Sequence, residues 1–248
     1  MIRTVLFDLD NTLLDFNRAE RRALTLTLRE LGIEPTEEIM GRYSELNLAQ
    51  WKLLELGKLT RDQVKVRRYR LLFQELGVAH PAEDATRRYE GHLAEGLFLM
   101  EGAEALLQAL VPRYRLYVVT NGTALVQQKR LQGAGLGAYF QGYFISEAIG
   151  FDKPRKEFFD LCFSVIPDFG PEETVIVGDS LSSDIQGGKN AGIRTIWFHP
   201  QAGAENSGTK IGAAENGGAE SGAAEAPEPV PDHTVRSLRE ILSLLETL

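Results

Sequence analysis

Five short runs of this 248-residue chain are apolar almost throughout instead of at every second position: TVLF at 4–7, RLYVVT at 115–120, GYFIS at 142–146, TVIVGD at 174–179 and RTIWF at 194–198. A strand with one wet face alternates polar and apolar residues. A strand covered on both faces does not, and such strands belong to mostly parallel sheets with helices on either side. Three helix-like stretches separate the last four runs. GTALVQQKRLQGAG has apolar positions three and four apart and ends in glycine, RKEFFDLCFSVI follows Pro154, and SSDIQGGKNAG again stops at glycine. Strand and helix in alternation predict right-handed parallel crossovers, and hence an α/β fold built on a doubly wound, mainly parallel sheet.

Two stretches interrupt this rhythm. About a hundred residues separate the first two runs, and NRAERRALTLTLREL, PTEEIMGRYSELNLAQWKLLELG, TRDQVKVRRYRLLFQELG and PAEDATRRYEGHLA are all helical in pattern. Only EGAEALLQALVPR is needed as a crossover helix, so residues 16–95 are expected to form a four-helix cap inserted over the strand ends. Residues 1–15 and 96–248 then make the core domain. The second interruption is 201–231, where nineteen of 31 residues are Gly, Ala or Glu and only Ile211 and Val230 are large and apolar. Such a stretch buries too little surface to offset its ordering entropy, so a flexible loop is expected. After it, HTVRSLREILSLLETL reads as one amphipathic helix packed on the sheet.

A formal charge of −8, about half of it from the 201–231 tract, argues against a nucleic-acid polymer or an anionic membrane as partner. The single cysteine, Cys162, forbids an intrachain disulfide and lies in an apolar run where a buried, inert thiol is expected. No signal-like segment opens the chain and no run of about 18 apolar residues occurs, so a cytoplasmic protein is expected. Nothing in the sequence bears on whether it is a monomer or a homodimer.

In open parallel sheets the ligand site lies outside the carboxyl ends of the strands. Asp8, Asp10 and Thr12 follow the first run, Thr120 and Asn121 end the second, Lys153 follows the third, and Asp179 and Asp184 follow the fourth. Taken singly, each has an ordinary reading: a turn or cap residue for Asp8, Asp10 and Asp184, a helix N-cap for Thr120 and Asn121, a solvated side chain for Lys153. Taken together, they place several carboxylates, a hydroxyl, an amide and an ammonium on one edge. Clustered carboxylates repel one another, and Mg2+ binds hard oxygen ligands together with substrate phosphate. With Lys153 and Mg2+ present a phosphate can approach, leaving one carboxylate to attack phosphorus and another to serve the leaving group.

DLDNT, TN, KP and GDSLSSD, in that order and on those strands, resemble the four motifs of the haloacid dehalogenase-like phosphohydrolases. The resemblance spans the chain apart from 201–231. It implies a Rossmann-like core with a helical cap, and it implies roles. Asp8 would be the nucleophile that becomes phosphorylated. Asp10 would be the general acid and then the base, with its backbone carbonyl on Mg2+. Thr120 and Asn121 would bind the phosphoryl oxygens, Lys153 would balance charge, Asp179 would be a metal ligand, and Asp184 would lie in the first or second layer of ligands. An acid at position 10 favours phosphate esters, because a leaving alcohol needs a proton and a leaving halide does not. A receiver domain would place its accepting Asp after a middle strand in a chain half this length. A silent phosphate-binding module would not need every group required for turnover.

NLAQWKLLELGKLT and ISEAIGFDKP further resemble the subgroup of pyrimidine 5'-nucleotidases that act on ordinary and noncanonical nucleoside monophosphates. Asn47 and Trp51, four apart on one helical face, could read and stack on a base, or could simply pack the cap core. Arg67 and Arg68 could meet a phosphate or ribose, or form a solvated face. Phosphoglycolate, sugar phosphates and a broad range of small phosphomonoesters are the alternative substrates.

Overall fold

The computed structural model describes residues 1–200 and 228–248. The expected flexible loop at 201–231 therefore lies outside the described residues, except for its last four positions. Six strands form one sheet in the order β3-β2-β1-β4-β5-β6: β1 (Thr4–Phe7), β2 (Arg115–Thr120), β3 (Gly142–Ile145), β4 (Thr174–Gly178), β5 (Arg194–Phe198) and β6 (His233–Val235). All neighbouring pairs run parallel, with Val5 opposite both Leu116 and Val175. The first strand is thus central, and residues leaving it emerge between β2 and β4.

Alternate residues of β1 serve two cores, which explains why its sequence is apolar throughout. Val5 and Phe7 pack with Leu106, Leu107 and Leu110 of α5 (Ala103–Leu110) and with Leu238, Ile241 and Leu245 of α10 (Leu238–Leu245). Leu6 points the other way, into Phe158, Phe159 and Cys162 of α8 (Lys156–Val165). Helices therefore cover both faces. Cys162 is fully buried and its thiol is pushed up by that burial, as an inert thiol should be.

One element corrects the sequence reading. Residues 233–248 are not a single helix: His233–Val235 add the sixth strand beside β5, and α10 starts only at Leu238, where Ser237 and Glu240 form a capping box. The β-branched pair in HTV and the Val235 carbonyl, which accepts from the His199 N–H at 2.9 Å, hold that stretch to the sheet edge.

Between β1 and α5 stand four helices, α1 (Phe16–Glu30), α2 (Glu37–Glu55), α3 (Arg61–Leu76) and α4 (Ala82–Ala94). Asp15, Thr36 and Thr60 cap α1, α2 and α3 through their side chains, and Gly77 ends α3 with φ 66°, a left-handed turn that suits glycine. They share an apolar core of their own, with Leu24, Leu28, Tyr43, Tyr69, Leu72 and Tyr89 at its centre. The chain leaves and returns side by side. Asp15 N–H donates to the Phe98 carbonyl at 2.8 Å and Met100 N–H donates to that of Leu13 at 2.9 Å. Among the described residues no helix is long and apolar enough to cross a membrane.

Candidate active site

The β1 ladder runs one residue past the strand, since Asp8 N–H donates to the Val177 carbonyl at 2.9 Å. That bond fixes the Asp8 main chain at the sheet edge and directs its buried side chain toward β4. There a single π-helical turn, Leu181–Ile185, folds Asp184 back over the strand end. Asp184 Oδ2 accepts the Ser180 N–H at 3.1 Å, and a Cβ on Gly178 would lie only 2.2 Å from that same oxygen. Glycine is required here by close approach alone.

Lys153 ties the edge together. Its ammonium is 1% exposed and donates at 2.7 Å to each of Asp8 Oδ1, Asp184 Oδ1 and the Val119 carbonyl, so its three protons are all used. Thr12 donates to the other Asp8 oxygen at 3.3 Å. Asp179 closes the group, with one carboxylate oxygen from each of Asp8, Asp179 and Asp184 lying within 4.8 Å of the others.

Three carboxylates against one ammonium are electrostatically unbalanced. Burial pushes Asp8 up to about 7, outweighing the pull of Lys153, with Asp184 and Asp10 adding to the rise. Burial also holds Asp179 well above the usual carboxylate range, with Asp8 and Asp184 contributing. Burial alone would lower Lys153, but Asp184 and Asp8 outweigh it and keep the ammonium charged. A hard divalent cation among these oxygens would remove the imbalance, and an all-oxygen donor set of this charge suits Mg2+.

The groups expected to hold a phosphoryl oxygen divide in two. Thr120 Oγ1 accepts from Gln127 Nε2 at 2.9 Å and from Gly122 N–H at 3.3 Å, leaving its own proton to donate outward. The Asn121 side chain is already engaged, because its amide donates to the Lys153 carbonyl at 2.9 Å and accepts the Lys153 N–H at 2.8 Å. Asn121 thus holds the lysine loop in place.

Asp10 faces a different space. It lines a cavity of about 40 Å³ with Trp51, Lys65, Arg68, Glu90 and Gln127, so the helical insertion forms one wall. A larger cleft of about 510 Å³ runs outward from Lys153 between Leu54–Arg61 of the insertion and Ser146–Arg155 of the core. Asn47 does not reach either space. Its amide donates to Glu20 at 2.7 Å while its oxygen accepts from Trp51 Nε1 at 3.0 Å and Arg68 at 2.9 Å. Arg67 is exposed on the opposite side of α3.

Sequence reasoning passed over several residues here. Arg61 joins insertion to core, donating to the Asn121 and Gly122 carbonyls and to Ser146 Oγ, and pairing with Asp152. Lys65 does the same through Glu147 at 3.0 Å. Gln127 and Arg130 on α6 (Ala124–Gly133) both donate to Asp10. The sequence shows them only as polar neighbours of Val126 and Leu131 in a helical run; their burial and their partner Asp10 come from the fold.

Known proteins resemble this chain in sequence and fold. Over residues 2–192 the chain matches the model of haloacid dehalogenase-like hydrolases. It is 37% identical to the HAD-hydrolase YfnB of Bacillus subtilis over 98% of this chain and 95% of that one. It is 42% identical to the pyrimidine 5'-nucleotidase PynA of Streptococcus pneumoniae, covering 79% of this chain and 83% of PynA. A crystal structure of YfnB bound to magnesium superposes with a TM-score of 0.86 at 36% identity over 99% of both chains. The family match over residues 2–192 and these identities show that the chain belongs to the haloacid dehalogenase-like hydrolase family.

Proposed function

We propose that this protein is a Mg2+-dependent phosphomonoester hydrolase that works through a phosphorylated Asp8. The observation that carries the reading is Lys153, buried and bonded at 2.7 Å to both Asp8 and Asp184 beside Asp179, while Asp10 faces a separate cavity. In this reading a phosphorus would lie between Asp8 as nucleophile and Asp10 as proton carrier.

In the first half-reaction an Asp8 oxygen attacks phosphorus. The bond to the ester oxygen breaks with its electron pair, and Asp10 gives that oxygen a proton, leaving as the alcohol. In the second, water attacks the phosphorylated Asp8 as Asp10 takes a proton from it, and the phosphorus–Asp8 bond breaks to return the carboxylate. The Thr120 hydroxyl donates to a phosphoryl oxygen throughout, and Asn121 keeps Lys153 where charge builds up. Mg2+, held by Asp8, Asp179 and the Asp10 carbonyl with Asp184 close by, would neutralise charge on the phosphate.

For substrate, the likeness to PynA supports pyrimidine nucleoside 5'-monophosphates. Trp51 and Arg68 on the cavity wall are the side chains we assign to the leaving group, and Asn47 acts behind them by holding both. A cavity of about 40 Å³ holds little more than water, so a nucleoside requires the insertion to shift outward. Phosphate release from UMP, dUMP, dTMP, phosphoglycolate and sugar phosphates tests the assignment. A Mg2+-dependent preference for the nucleotides is expected; equal rates across the panel would defeat the nucleotidase reading and leave the hydrolase.

A further inference from the structure

We propose that Gln127 and Arg130 are positioning residues that fix the carboxylate of Asp10, and so govern how well it hands a proton to the leaving oxygen. This rests on the acid–base role given to Asp10 above. Gln127 Nε2 donates to Asp10 Oδ2 at 2.7 Å, Arg130 pairs with Oδ1, and Arg130 also donates to Gln127 Oε1 at 3.1 Å, closing a ring of three side chains. An ionised carboxylate offers about four lone-pair sites. The ring takes one on each oxygen and leaves one on each for chemistry, so Asp10 is oriented without being used up.

Three features show that the ring is more than packing. First, Arg130 is entirely buried with Nη2 unpartnered. A buried guanidinium with an unmet donor is costly unless its charge is needed, and Asp10 is the acid it pairs with. Second, Gln127 Nε2 also donates to Thr120 Oγ1 at 2.9 Å, so one amide sets the proton carrier in register with the hydroxyl assigned to the phosphoryl group. Third, a Cβ on Gly122 would lie 2.3 Å from that amide nitrogen, so the chain keeps a glycine where Gln127 passes. Arg130 further lies near both ends of the insertion, donating to the Gly96 carbonyl at 3.3 Å and sitting 5.9 Å from the centre of the Phe16 ring.

The experiment compares kcat/KM on two esters with the full-length, Mg2+-loaded protein and its Gln127→Met, Arg130→Lys and Asp10→Asn variants. One ester is p-nitrophenyl phosphate, whose leaving group departs without a proton. The other is the alcohol-derived monoester that the protein turns over fastest. Both ring variants should lose about tenfold or more on the alcohol ester, since misplacing a catalytic group by 1 Å can cost about a hundredfold, and several-fold less on p-nitrophenyl phosphate. Asp10→Asn should show the same discrimination more strongly. Equal losses on both esters, or none, while Asp10→Asn still discriminates, would overturn the positioning role and spare the mechanism. Loss of discrimination in Asp10→Asn itself would remove the acid–base role and this proposal with it. Should Arg130→Lys fail to fold, Gln127→Met and Gly122→Ala carry the same test.

Discussion

Among the described residues, the buried charged clusters at the sheet edge and inside the helical insertion are built to opposite rules. At the sheet edge Asp8, Asp179 and Asp184 face one ammonium, that of Lys153. Inside the helical insertion one carboxylate, Glu20, and one guanidinium, Arg68, meet through Asn47. The Arg68 guanidinium also lies 4.5 Å over the ring of Tyr89 and 5.5 Å over that of Tyr69. The second cluster pairs one negative group with one positive group and is bonded within itself, whereas the first carries an excess of carboxylates. Burial of charge by itself therefore says little about function; its imbalance says more.

That contrast can be broken most decisively at Asp8. Asp8→Asn should abolish turnover while leaving the metal-free melting temperature unchanged or higher, because it removes one of three repelling carboxylates. Residual wild-type activity, followed by phosphate release, would end the covalent mechanism.

In the insertion the reverse is expected. Arg68→Met removes the guanidinium that Asn47 links to buried Glu20 together with its hydrogen bonds, and losing a charged hydrogen bond costs about 1.5–3 kcal/mol. Denaturant unfolding should register that loss, whereas exposed Arg67→Ala should stay within about 0.5 kcal/mol. Similar effects from the two neighbours would mean that the cluster is not structural.

The smallest effect is on pH dependence. Asp8, raised by burial from 3.8 to about 7, and Asp179, raised the same way, bind protons more tightly folded than unfolded. The stability this confers is full below about 4 and lost as pH rises through about 7. Chelator-treated protein should thus melt lower at pH 8 than at pH 6. Added Mg2+ should raise the melting temperature more at pH 8, where protons no longer compete; an equal rise at both would break the comparison.

The sheet and the placement of its polar ends were legible because both signals are local. A run such as TVLF declares that it is covered on two faces; Asp8 follows its run directly, Thr120 and Asp179 close theirs, and Lys153 stands in the loop after the third. The parts that escaped depend on pairing across the fold. HTV became a strand because β5 presented it with a free edge, and nothing within those three residues outweighed the helix beyond. Asn47, four residues from Trp51, could read a base or pack the cap core, and only the fold shows Glu20 from another helix claiming its amide. Gln127 and Arg130 lie far from Asp10 in sequence and meet it only once α6 is packed in place.

The two crossings at Leu13–Asp15 and Phe98–Met100 are joined by main-chain hydrogen bonds, so the chain segment between them begins and ends at nearly the same point. The entropy of closing such a segment grows only as the logarithm of its length, about 0.6 kcal/mol for each doubling. Closure entropy thus sets little limit on the size of the insertion, and what ties these four helices to this core is contact, through Arg61, Lys65 and the packing of Val126. A chimera carrying the corresponding helices of another member of the family on this core should keep the hydrolytic chemistry and take its preference among esters from the donor.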